Sequence, residues 1–108
     1  MNTYIVMLDF TEWGIASIKD SPGRSATMSA IMEKHGARIK DYYLTMGEHD
    51  FVVIFEATDD RAMAKVLFEI GRLGAVKTRT MRAFSRDEFK DIVGELPARG
   101  IFEDLKKR

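Results

Sequence analysis

The sequence predicts an α+β domain whose strands and helices follow the order β-α-β-β-α-β, with a short helical extension at the end. Three observations carry this. Four runs rich in β-branched and aromatic residues lie at 3–10, 38–45, 51–57 and 75–84. Two of the intervening segments repeat side chains at helical spacing, Met28-Ile31-Met32-His35 and Met63-Val66-Leu67-Ile70. The first and third strands are apolar on both faces, whereas the second and fourth carry charge, the pattern of two central and two edge strands.

Taken in order, the first strand has Tyr4, Val6, Leu8 and Phe10 on one face and Ile5 and Met7 on the other. Trp13, Ile15 and Ile18 then allow a short helical turn. Ser21-Pro22 opens the first main helix, with a capping hydroxyl followed by proline at the first helical position. Gly36 ends it, as glycine past a last turn commonly does. Strict alternation in the second strand separates Ile39, Asp41, Tyr43 and Thr45 from Arg38, Lys40, Tyr42 and Leu44. A short polar link containing Gly47-Glu48-His49-Asp50 leads into the third strand and predicts a hairpin. Phe51, Val53 and Phe55 share one of its faces.

Thr58-Asp59-Asp60 supplies a cap and acids that suit the N-terminal end of the second main helix. Gly71 and Gly74 bracket its exit. The fourth strand has Val76, Thr78, Thr80, Arg82 and Phe84 on one face and Lys77, Arg79 and Met81 on the other. Ser85 and Glu88 fit a capping box. Phe89, Ile92, Val93 and Leu96 make an apolar stripe behind it. Pro97 and Gly100 break that helix, and Ile101, Phe102 and Leu105 allow one more amphipathic turn before the basic end Lys106-Lys107-Arg108.

This order is the ferredoxin-like plan. Two helices cover one face of its four-stranded sheet. A second copy of the sheet is the simplest cover for the other face, which predicts a homodimer or higher homo-oligomer of the dimeric α/β barrel type. A length of 108 residues fits a single domain, 1–108, with a core of about 3–90 and a helical tail over 91–108. The formal charge is +0, so no net field draws the chain to nucleic acid or an anionic membrane. The absence of cysteine excludes disulfides, thiolate metal sites and a cysteine nucleophile, and suits a cytoplasmic protein. No apolar run approaches the roughly 20 residues that span a bilayer.

Candidate chemistry is sparse. His49 and Asp50 are the catalytic candidates: a carboxylate beside the side chain that titrates near neutrality. Gly47 and Asp50 also suit plain turn chemistry, and adjacent residues of an extended chain point opposite ways. Thr78, Thr80 and Arg82 share a strand face, with Tyr43 approaching from elsewhere in the fold. Such a group would suit a small anionic or oxygen-rich ligand, and it would equally suit a polar edge strand. Lys19 and Arg24 flank a helix entry where an anion could sit. The seven methionines read as core filling, with a Met-lined ligand pocket as the alternative. His35 reads as a helix-ending side chain. The two histidines lack metal-ligand spacing, so no metal is expected, and no tightly held cofactor. The third strand lacks the basic-Gly-aromatic start of an RNA-recognition motif.

The run from Tyr43 through Gly47-Glu48-His49-Asp50 to Ala57, together with residues 74–84 and the helix entry Lys19-Asp20-Ser21-Pro22, resembles the GYD-domain family over residues 3 to about 90. His49 stands where the family's Gly-x-Tyr-Asp turn has tyrosine. The resemblance implies the dimeric α/β barrel fold, in a largely uncharacterised family. The expected function is a cytoplasmic homo-oligomer holding a small organic molecule between sheet and helices, with cofactor-independent chemistry as a further expectation. The alternative is a non-catalytic ligand-sensing or assembly module.

Overall fold

The structure is a computed structural model and describes residues 1–106. Strand β1 (Asn2–Phe10) leads through α1 (Glu12–Ala16) and a 3-10 turn (Ile18–Asp20) into α2 (Ser21–Lys34). Strands β2 (Ala37–Leu44) and β3 (Phe51–Ala57) follow, then α3 (Asp60–Leu73), β4 (Val76–Ala83), α4 (Arg86–Gly94) and α5 (Ile101–Lys106). The strands form one antiparallel sheet in the order β2-β3-β1-β4. The two strands that are apolar on both faces are thus the central pair. No helix among the described residues is long and apolar enough to cross a membrane.

The core lies between one face of this sheet and helices α2 and α3. Tyr4, Val6 and Leu8 of β1 and Phe51, Val53 and Phe55 of β3 meet Met28 and Met32 of α2 and Met63, Val66 and Ile70 of α3. Phe55, Met63, Val6, Val53 and Val66 are almost wholly removed from water. Each contributes about 1.5–3 kcal/mol of burial, so these few side chains dominate the energy of the sandwich.

Helix boundaries follow local chemistry, with one departure. Asp59 caps α3, its carboxylate accepting the Ala62 amide at 2.8 Å, and Gly74 leaves the helix at a positive φ of 85°. The Ser85–Glu88 capping box opens α4 with both reciprocal bonds at 3.1 Å. Helix α2 departs from expectation. Its cap is Asp20, and Ser21 is already helical without capping through its side chain, because the preceding 3-10 turn runs straight into the helix. Pro22 sits in the first turn, where its missing amide costs nothing.

A second departure lies in β2. A bulge between Ile39 and Asp41 breaks the strict alternation. Ile39 then faces Phe55 and Tyr42 faces Val53, so both lie on the core side of the sheet. Arg38, Asp41 and Tyr43 take the other side. One extra residue, Lys40, moves Tyr42 to the face that alternation denies it.

The sheet face away from α2 and α3 carries Ile5 between Ile54 and Met81, and Met7 between Val52 and Arg79. Neither α4 nor α5 makes extensive contact with any other element, and α4 buries none of its residues. The molecule extends 65 × 30 × 21 Å with a radius of gyration of 18.4 Å. A compact chain of this length would have about 13 Å. The C-terminal helices therefore form an arm, with Phe89, Leu96, Ile101 and Phe102 exposed along it.

Candidate functional site

The link between β2 and β3 spans residues 45–50 and is tied down at both ends. The Thr45 amide donates to the Asp50 carbonyl at 2.8 Å, and the Thr45 hydroxyl to the His49 carbonyl at 2.5 Å. Gly47 takes a φ of 123°, a conformation that side chains rarely adopt. The Asp50 amide donates to the Leu8 carbonyl at 3.1 Å, and the Asp50 carboxylate accepts the Phe10 amide at 2.8 Å. Asp50 therefore anchors the link to the end of β1 through two backbone groups.

His49 does not pair with its neighbour. Its Nδ1 lies 3.1 and 3.3 Å from the two carboxylate oxygens of Asp9. Asp9 alternates with Leu8 and Phe10 and so faces the open side of the sheet, opposite Lys77 of β4. The hydrogen bond from His49 holds the Asp9 carboxyl below the usual carboxylate range, helped by the Asp50 amide and the charge of Arg79. Asp9 is the member of this group that sequence reading missed. A lone carboxylate closing an otherwise apolar strand face was the available signal.

Thr78, Thr80 and Arg82 share the helix side of β4, as their spacing indicated. Arg82 is held by the protein itself. Its guanidinium donates to the Thr3 carbonyl at 3.4 Å and to the Ala83 carbonyl, lies 3.8 Å from the Glu88 carboxylate, and sits 4.4 Å over the Phe84 ring and 5.6 Å over Tyr4. Backbone hydrogen bonding at Ser85 lowers the Glu88 pKa first, and Arg82 adds to it. Tyr43 is not brought to this group. It lies on the opposite edge strand and the opposite face.

A cavity does lie between sheet and helices. Its inner part, about 80 Å³, is walled by Leu8, Met28, Met32, Phe55 and Ile70, among others. Phe10, Ser21, Ser25, Tyr42 and Phe51 line it too, and also line a more open chamber of about 480 Å³ that reaches Ile18, Pro22 and Leu44. Phe10 and Phe51 meet edge to face at 5.2 Å, and Tyr42 lies 5.3 Å from Phe51. Burial raises the Tyr42 phenol pKa, and a hydrogen bond with Ser25 partly offsets this. Arg24 stands at the wall, bonded to the Ser17 hydroxyl and carbonyl at 3.1 and 3.3 Å and stacked 4.8 Å over Trp13. The cavity and the Asp9–His49 pair occupy opposite sides of the sheet.

Against this geometry, residues 4–93 match the GYD domain. A protein of Thermus thermophilus, named a glutamine synthetase and cystathionine beta-lyase binding protein, is 31% identical over 84 residues, which span 77% of this chain and 88% of that one. Two solved structures share the fold at 20% identity. FFRP-DM1 superposes with a TM-score of 0.56 over 78% of this chain and 100% of its own. TTHA0845, also from Thermus thermophilus, superposes with a TM-score of 0.51 over 79% and 95%.

Proposed function

The chain belongs to the GYD domain family, and on that premise we propose that it is a small cytoplasmic binding protein that works as a homo-oligomer and docks onto metabolic enzymes. The observation that carries this reading is the open sheet face. Ile5, Met7, Val52, Ile54 and Met81 lie at its centre, and no element among the described residues packs extensively over it. Apolar surface of this kind drives association at about 25 cal/mol per Å² buried, before the costs of binding. A second copy of the sheet covers it symmetrically. The name of the Thermus thermophilus relative supports enzymes as the outside partners.

Sedimentation at micromolar concentration tests the pairing: a dimer or larger species is expected, and a stable monomer overturns it. Mixing with purified glutamine synthetase and cystathionine beta-lyase tests the docking. Co-migration with at least one of them on size exclusion is expected, and migration apart from both at tens of micromolar overturns it.

A second reading is favoured by the cavity: a small organic molecule held between sheet and helices, so that the protein senses a ligand while bound to its partners. The outer chamber, about 480 Å³, falls within the usual range of ligand sites. Binding is favoured over chemistry because neither catalytic candidate lines the cavity: His49 is engaged by Asp9, and the Asp50 carboxylate by the Phe10 amide. The group Thr78, Thr80 and Arg82, and Tyr43 on the far edge, are secondary contact points under this reading. Native mass spectrometry of protein purified from its own host tests it. A co-purifying small molecule is expected, and a bare polypeptide mass overturns it.

A further inference from the structure

We propose that the helix-side cavity takes a straight-chain carboxylate, its alkyl tail in the inner part and its anionic head at the Arg24 rim. The inference rests on the ligand-cavity reading above and names the ligand class. The inner part is walled by hydrocarbon and thioether groups, chiefly Leu8, Met28, Met32, Phe55 and Ile70. At about 80 Å³ it has roughly half the room that admits a benzene ring, so it selects the end of an alkyl chain over a ring system. Its unbranched, flexible Met28 and Met32 walls adapt to such a chain. The shared lining at Phe10, Ser25, Tyr42 and Phe51 makes inner part and outer chamber one continuous path.

Charge decides the head group. Among the described residues, Arg24 is the one charged side chain lining the cavity, and no acid lines either part. Asp20, next to Ser21, lines neither. The guanidinium is oriented by Ser17 and Trp13, and its two hydrogen bonds to Ser17 occupy two of its five donors. The remaining donors match a carboxylate, with the Ser21 and Ser25 hydroxyls at the same rim. A cation at this rim would be repelled, and a neutral head would forgo the guanidinium.

The test uses the full chain with octanoate, 1-octanol and octylamine in isothermal titration. Octanoate should bind one per chain and at least ten-fold more tightly than octylamine. Each methylene added from butanoate to octanoate should tighten binding by about four-fold until the inner part is full. Arg24→Gln should weaken octanoate at least five-fold and leave 1-octanol unchanged. Ser25→Trp, which fills the rim, should remove binding of both. Methyl NMR reads the site without any substitution: octanoate should shift the Met28 and Met32 signals and leave Met46 and Met81 in place.

Octanoate that shifts neither Met28 nor Met32, or that binds Ser25→Trp as it binds the native chain, overturns the proposal. Equal binding of all three probes, lost together in Ser25→Trp, overturns the carboxylate class and leaves the cavity reading standing. If no probe binds, the alkyl class falls. The cavity reading is then decided separately by whether a molecule that co-purifies from the host is lost in Ser25→Trp.

Discussion

His49 Nδ1 lies 3.1 Å from the carboxylate of Asp9, joining the β2–β3 link to the end of β1 across about forty residues of sequence. This pairing, and not one with Asp50, sets the electrostatics at that end of the sheet. Its direction gives a pH prediction. The folded-state pKa of Asp9 is depressed, chiefly by the His49 hydrogen bond, then by the Asp50 amide and Arg79. A depressed carboxylate stabilises the fold above its unfolded pKa of roughly 4, and that contribution is lost as pH falls through the folded value. Asp9→Asn should therefore lower the Tm at about pH 6–7 and flatten its decline below about pH 4. Thermal melts from about pH 2.5 to 7 check this. Parallel curves for the two proteins would remove Asp9 from the acid response.

Asp50 does structural work that a substitution pair can isolate. Its carboxylate accepts the Phe10 amide, which otherwise points into a partly buried corner. Asp50→Ala leaves that donor unmet and should cost about 1–3 kcal/mol in urea unfolding. Asp50→Asn keeps an acceptor oxygen and should stay within about 1 kcal/mol of the native chain. Equal losses would mean that the charge, and not the acceptor, matters at this position.

Much of this architecture was legible because it follows from local rules. Apolar residues on both faces of β1 and β3 put those strands at the centre. Asp59 and the Ser85–Glu88 pair announced two helix starts. Two features were not legible, for different reasons. The bulge after Ile39 is one inserted residue, and alternation carries no mark of an insertion, so alternation separates Tyr42 from Ile39, whose core-side face it shares in the fold. The Asp9–His49 contact depends on how β3 registers against β1, which sequence spacing does not encode. Thr78, Thr80 and Arg82 were correctly grouped on one face, but the engagement of Arg82 with Glu88, Phe84 and Tyr4 needed the fold.

Gly14 marks a close approach that tolerates no side chain. A Cβ there would stand 1.9 Å from the Ala75 carbonyl oxygen and 2.9 Å from its carbon. Both are backbone atoms, and the same carbonyl accepts the Thr11 amide at 3.1 Å, so it cannot swing aside without releasing α1. Gly14→Ala should destabilise by about 3 kcal/mol, the upper end of the cost of overpacking. Gly23 is the control, since a Cβ there meets nothing within 4 Å. Gly23→Ala should leave stability unchanged or raise it by up to about 1 kcal/mol. Urea unfolding of both variants measures the contrast.

The arm beyond Ser85 separates folding from assembly. Phe89 is 61% exposed and Phe102 78%, and no residue of α4 is buried, so the core sandwich owes these helices little. Glu88 ties α4 to the sheet through a 3.8 Å ion pair with Arg82, a partly exposed, solvent-screened pair of the kind that adds little to stability. A chain ending at Ser85 should lose only the helical circular dichroism of α4 and α5 and melt within a few degrees of the full chain at low micromolar concentration. Ile54→Lys places a charge at the centre of the open sheet face, beside Ile5, without touching the helix-side core. Under the proposed sheet-face pairing it should leave a folded monomer in sedimentation velocity. If the sheet face is the interface, as proposed, the shortened chain should still associate, because it keeps Ile5, Met7, Val52, Ile54 and Met81. If the shortened chain unfolds, the arm belongs to the core. If Ile54→Lys still sediments as the native oligomer, the sheet face is not the interface.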